Sequence, residues 1–186
     1  MSLLLETDFS QIKLFSFSGL VVPARVVDVY DGDTLTVGFI YGNEPIKVKI
    51  RMCGYDSPEL KPLLTVANRD LHIKCAHISR DHLLNIITKN NKEGCNLVMV
   101  HFNDDGADKY GRQLAKVYVD SLCINDYMIK NGFGKCYDGG KKGEFTITDL
   151  QRIADCKCGY ECELQSNIRS QNHTEPDFKI KMHIKP

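Results

Sequence analysis

Three segments rich in branched residues, ARVVDVY (24–30), TLTVGFI (34–40) and PIKVKIRM (45–52), follow one another with only short connections between them. Such residues suit a pleated, half-buried surface, so the three read as a strand meander. The first connection lies in VYDGDTLTV (29–37), where Asp-Gly between apolar runs is a hairpin signal: glycine supplies the positive backbone angle that a tight turn needs. Asp31 and Gly32 therefore read as turn chemistry. Asp33 is harder to assign to the turn. Side chains alternate along a strand, so if Leu35, Val37 and Phe39 form the core-facing row, Asp33 points to the same side at the strand's end. An inward carboxylate without a partner is costly, and a partner is implied.

From about Val66 to Thr88 the period changes, with Leu71, Cys75, Ile78, Leu83, Ile86 and Ile87 recurring mostly at three- and four-residue intervals, which predicts a helix. Two further strands, NLVMVHF (96–102) and QLAKVYV (113–119), follow, joined by the polar NDDGADKYGR. A short helix is expected from about Cys123 to Asn131, closed by Gly132, and another from Thr148 to about Cys156 with Thr148 as N-cap. Five strands with a helix between the third and fourth is the layout of a Greek-key barrel of the OB type, whose open face commonly receives nucleic acid or sugar. The expected fold class is α+β, mainly β: a five-stranded OB-type barrel with about three helices. Residues 24–160 would form this domain, 1–23 an N-terminal extension, and 161–186 a polar tail that is poorly ordered or docks on an unknown partner.

The 186 residues suffice for one substantial core. Lysines plus arginines number 24, as do aspartates plus glutamates, so no overall positive field draws the protein to a polyanion, and any such binding must use local groups. At the N-terminus Glu6, Asp8 and Lys13 interrupt every apolar run, so neither a signal peptide nor a membrane span is read. Eight cysteines in a chain of this length without an export signal are expected to be reduced, which suggests an intracellular location.

A second acidic group lies in IRMCGYDSPEL (50–60), where Arg51 precedes Asp56, Ser57, Pro58 and Glu59. Taken alone it is equally a strand exit and a proline turn. Pro58 restricts Ser57 to extended backbone and gives the serine carbonyl a defined direction. Asp33, Asp56 and that carbonyl are hard oxygen donors, suited to calcium or magnesium and poorly to zinc. Should Asp33, Asp56 and Glu59 converge, two carboxylates about 4 Å apart would repel by about 4 kcal/mol at an effective dielectric of about 20. A divalent cation would remove that cost. The third group, DKYGRQLAKVYVD (108–120), again combines turn residues with cations. As an EF-hand the region fails, because with Gly106 at the required glycine His101 takes the first ligand position and Arg112 the last.

In motif and order these groups resemble the staphylococcal nuclease (thermonuclease) family. The matching pieces are DGDT (31–34), Arg51 with DSPE (56–59), DKYGR (108–112) and INDYMIKNGFGK (124–135), and the resemblance covers about residues 24–158. It implies a calcium-dependent phosphodiesterase, an endo- or exonuclease on an OB barrel that cuts single-stranded or locally opened DNA and RNA with little sequence preference and leaves 3'-phosphate ends. By motif position Asp33 and Asp56 would bind calcium through carboxylates and Ser57 through its backbone carbonyl; the family usually has threonine there, which spares the carbonyl. Glu59 would act as general base or orient the attacking water, Arg51 and Arg112 would bind phosphate and stabilise the five-coordinate phosphorus, and Lys109 and Tyr110 would hold the neighbouring phosphate. Strand parity does not predict the role of Arg51, which falls on the row opposite Ile46, Val48 and Ile50.

Some features depart from the family pattern. Counting without a gap, the family's tyrosine near the second helix falls on Asp138, and a one-residue slip would make Tyr137 the substrate ligand. The final helix lacks the usual lysine-rich character and tryptophan, and runs into CKCGYEC. Zinc at Cys156, Cys158 and Cys162, completed by Cys136 or His173, is the weaker reading, since the spacing is not a paired CxxC. The rival function is a barrel that has lost catalysis and serves as a nucleic-acid-binding or scaffold module; such a module would be expected to lose the charge cluster, and here every member is present.

Overall fold

Strands β1 (Val21–Val29), β2 (Thr34–Tyr41) and β3 (Glu44–Met52) form the antiparallel meander in the computed structural model, which describes residues 2–89, 94–140 and 142–156. A short helix α1 (Ser2–Glu6) and a 3-10 turn (Phe9–Gln11) precede it. The register sets Thr34 opposite Arg51 and Leu35 opposite Ile50, so Leu35, Val37 and Phe39 face the core together, as their alternation predicts. After the three-residue β4 (Gly54–Asp56) comes helix α2 (Arg69–Lys89), then β5 (Leu97–Ala107) antiparallel to β1, and β6 (Gln113–Val119) antiparallel to β5. Strand β6 then pairs in parallel with β3, Ile50 to Met52 lying opposite Gln113 to Ala115. This last pairing closes the sheet into a five-stranded OB-type barrel, an α+β fold of mainly β character.

Outside the barrel, β7 (Leu122–Cys123) leads into α3 (Ile124–Lys130), and β8 (Lys135–Tyr137) pairs with β4 ahead of α4 (Ile147–Asp155). The β4–β8 ladder has no counterpart among the expected strands. Three residues are too few to carry a period. One core unites the barrel residues with Cys75, Leu83, Ile86 and Ile87 of α2, Ile124 and Met128 of α3, and Leu150 and Ile153 of α4. Phe17 stacks on Phe102 with 5.1 Å between ring centroids and is buried, so the core draws on residues ahead of position 24.

Helix boundaries follow local chemistry. Helix α2 starts at Arg69, three residues after the periodic pattern, because Asn68 takes a left-handed conformation (φ 54) and its carbonyl accepts the His72 N–H at 3.0 Å. Helix α3 ends as predicted at Gly132 (φ 75): the Phe133 N–H donates to Met128 O at 2.9 Å and the Gly132 N–H to Ile129 O at 3.0 Å, a Schellman pair. At α4 the N-cap is Thr146, not Thr148. The Thr146 hydroxyl accepts the Asp149 N–H at 3.2 Å while Asp149 Oδ2 accepts the Thr146 N–H at 2.8 Å, a reciprocal box that Thr148 has no acidic partner to form in this helix. The tail 161–186, with Cys158 and Cys162, lies outside the described residues. Among the described residues no helix is long and apolar enough to cross a membrane.

The same aspartate ties α4 to β8 through Lys135 at 2.6 Å. Burial pushes the Asp149 carboxyl up, but the hydrogen bonds from Lys135 and Thr146 outweigh it and hold the group down to about 2. Because the folded value lies below the ordinary 3.8, its stabilisation is present above pH 4 and is lost as pH falls toward 2. Asp149→Asn should therefore cost about 1–2 kcal/mol at pH 7, measured from urea midpoints, and the difference from wild type should vanish near pH 2.

Candidate active site

Where β3 ends, Gly54 at φ 89 lets the chain reverse into β4, and Arg51 is caught inside the reversal. Its Nη1 donates to the carbonyls of Met52 at 2.7 Å and Tyr55 at 2.8 Å, and its Nη2 to Asp56 Oδ1 at 2.7 Å. The Tyr137 ring of β8 lies 5.8 Å from the guanidinium. Arg51 is thus only 5% exposed although it sits on the row opposite Ile50, because the β4–β8 ladder brings partners to that side.

The carboxylates gather around this cation. Asp33, at the inward end of β2, accepts the Ser57 N–H at 2.8 Å and the Thr34 hydroxyl at 3.0 Å, and lies 3.5 Å from Arg51. Asp31 accepts the Asp33 N–H at 3.1 Å within the turn, but Gly32 does not take the positive backbone angle expected of it and is required by close packing instead, and Asp31 too is buried. Burial, then the charge of Asp33, pushes the Asp31 carboxyl up to about 7. The same two causes raise Asp56, with Lys142 and Arg51 opposing them. Asp33 and Asp56 thus meet one buried guanidinium, with buried Asp31 next to Asp33, so that three buried carboxylates crowd together at this end of the barrel.

Arg112 is positioned by its own turn. Asp108 takes the Arg112 and Tyr110 backbone N–H groups on Oδ1 and the Arg112 Nε on Oδ2 at 2.8 Å, folding DKYGR into a loop that aims the guanidinium. Burial pushes the Asp108 carboxyl up, but these hydrogen bonds outweigh it and hold it below the ordinary range. The Arg112 Nη1 donates to the Thr34 hydroxyl at 3.0 Å, and Thr34 in turn donates to Asp33, so the two arginines meet the same aspartate. Behind the site, buried Asn125 accepts the Val117 N–H and donates to the carbonyls of Cys53 and Ala115, locking α3 to the strand corner.

A cavity of about 1170 Å³ opens on this cluster. Of the residues expected from sequence, Asp33, Arg51, Glu59, Lys109, Tyr110, Arg112 and Tyr137 line it, while Asp56 and Ser57 join through their bonds to Arg51 and Asp33. Asp138 lines it as well, and the Tyr137 hydroxyl donates to Gly140 O at 3.1 Å. Tyr110 is largely exposed, with the Lys109 ammonium 5.1 Å and the Arg112 guanidinium 5.6 Å from its ring. Thr34, Tyr55, Asp108, Asn125 and Lys142 were not legible as site residues. Only Asp108, two residues before Tyr110 in a glycine-containing loop, carried a readable turn signal.

Among the described residues no three His, Cys, Asp or Glu side chains form a metal-holding group by themselves. What the cluster offers is the Asp33 and Asp56 carboxylates, both held on Arg51, with Asp33 also accepting the Ser57 N–H; carboxylate oxygens are the donor type that suits a hard divalent cation. Cys156 and Cys136 are both exposed, and the other residues of the zinc reading, Cys158, Cys162 and His173, lie outside those described.

The family model for staphylococcal nuclease homologues matches residues 49–154, more than half of the chain. That match begins beyond the first hairpin, so Asp33 joins the matched segment through its contacts to Arg51 and Ser57. The chain is also 28% identical over 113 residues to an uncharacterized protein of Bacillus anthracis, an alignment covering 61% of this chain and 46% of that protein. This chain therefore spans about half the length of that relative.

The turn that carries Asp33 tolerates no larger residue at position 32. A Cβ on Gly32 would come 2.8 Å from Ser57 Cβ and 2.9 Å from Ser79 Cβ, while the Gly32 carbonyl accepts the buried Tyr55 hydroxyl at 2.6 Å. Gly32→Ala should lower stability by about 1–3 kcal/mol in urea denaturation, and an unchanged midpoint would contradict this close approach.

Proposed function

Because this chain belongs to the staphylococcal nuclease homologue family, whose domains bind nucleic acids in general, we propose that it is a calcium-dependent phosphodiesterase. Its substrates are single-stranded or locally opened DNA and RNA, cut with little sequence preference to leave 3'-phosphate ends. The observation that supports this reading is the convergence of Arg51 and Arg112 with Asp33, Asp56 and Glu59 at one cavity. A phosphodiester is an anion that repels incoming hydroxide, and the two guanidinium groups offset that charge. Both are already oriented by bonds to Asp56, Tyr55, Asp108 and Thr34, so little reorganisation is needed as charge grows on the five-coordinate phosphorus.

Glu59, more exposed than the other carboxylates, takes the proton of the attacking water as general base. Water adds to phosphorus, the bond to the 5'-oxygen breaks, and the phosphate stays on the 3' side. Lys109 and Tyr110 hold the neighbouring phosphate, and Tyr137 flanks the scissile one. Asp33, Asp56 and the Ser57 carbonyl would hold calcium, which when bound supplies Lewis-acid activation and neutralises phosphate charge. The balanced overall charge leaves the attraction for the polymer to Arg51, Arg112 and Lys109 at the cavity, together with a bound cation.

Cleavage of single-stranded DNA and RNA by the wild-type chain should require calcium and stop on chelation. Glu59→Ala and Arg112→Ala should each slow it by about a thousandfold, with folding unchanged by circular dichroism. Tight binding without cleavage in the wild type would instead identify a barrel that binds and has lost catalysis.

A further inference from the structure

Asp56 Oδ1 accepts from two cations at once: Arg51 Nη2 at 2.7 Å and Lys142 Nζ at 3.0 Å. The same ammonium donates to Glu59 Oε1. Lys142 therefore spans two carboxylates to which the proposed reaction gives different tasks, one holding a cation and the other moving a proton. It comes from DGGKKG (138–143), a loop far from both carboxylates in sequence and containing three glycines, Gly139 at φ 95.

We propose that Lys142 is a built-in counter-cation of this centre, neutralising Asp56 and Glu59 until a divalent ion arrives and competing with that ion for the same carboxylate oxygen. The inference rests on the calcium-dependent reading above. Calcium lies about 2.3–2.6 Å from each oxygen that binds it, and an Asp56 Oδ1 so engaged cannot at the same time keep both present donors. Of the two, Arg51 is fixed by the Met52 and Tyr55 carbonyls inside the β3–β4 reversal and is almost fully buried. Lys142 has a side chain about half exposed (51%), on a loop whose glycines re-route at little steric cost, so it is the donor that yields. Its departure also returns the Glu59 Oε1 lone pairs to water. One displacement thus seats the ion and frees the base.

Calorimetric titration of the full chain with calcium, on wild type, Lys142→Met and Lys142→Arg, tests the competition, alongside thermal melts in chelator. Lys142→Met should bind calcium about tenfold more tightly than wild type, and Lys142→Arg should stay close to wild type. The metal-free Lys142→Met protein should melt below wild type, since two carboxylates lose their counter-charge. Equal or weaker calcium binding by Lys142→Met, with the wild type still binding, overturns the competition alone. Absence of calcium binding in all three proteins overturns the metal-centre reading, and the competition with it.

Discussion

A guanidinium buried at the end of the third barrel strand organises this molecule's chemistry. Arg51 satisfies the Met52 and Tyr55 carbonyls and one Asp56 oxygen, so the chain must turn back on itself immediately after the barrel closes against β6. Removing either partner of such a buried pair typically costs about 3–5 kcal/mol, because the charge left behind has no water to turn to. Hydrophobic residues could fill the space at less risk to stability. A charge cluster kept in so enclosed a position makes sense where binding or catalysis uses it.

The cluster is also unbalanced. Asp31, Asp33 and Asp56 are buried around Arg51, while Arg112 is already engaged by Asp108. The carboxyls of Asp31 and Asp56 are raised first by burial and then by the charge on Asp33, as expected where carboxylates are crowded away from water. Lys142 meets part of that charge from a glycine-rich loop. On the proposed reading, structure and function share one electrostatic requirement: a divalent cation would relieve the crowded carboxylates and help them meet an anionic substrate.

The barrel was legible because each of its five strands is long enough to show branched residues in alternation, and the inward row of β2 correctly predicted a buried Asp33. Parity put Arg51 on the row opposite Ile50, where it stands, but gave no sign of its burial, since the three-residue β4 and β8 that enclose it are too short to leave a pattern. The local pattern puts the start of α4 at Thr148, whereas Asp149 pairs with Thr146 and makes that residue the cap. Lys142 could not be found from sequence at all, because its contact to Glu59 joins residues 83 apart through a loop with no period. The local motifs identified which residue types converge, whereas their positioning partners came from the β4–β8 ladder, from Asn125 and from the DKYGR turn.

The claim on which the rest depends is that the Asp33–Asp56 carboxylates form a centre for a divalent cation. An ion that binds only the folded state raises the thermal midpoint by mass action. The midpoint should therefore climb with calcium concentration in the wild type and stay flat in Asp33→Asn. A wild-type midpoint that does not move with calcium, or that moves equally in the variant, would contradict the account.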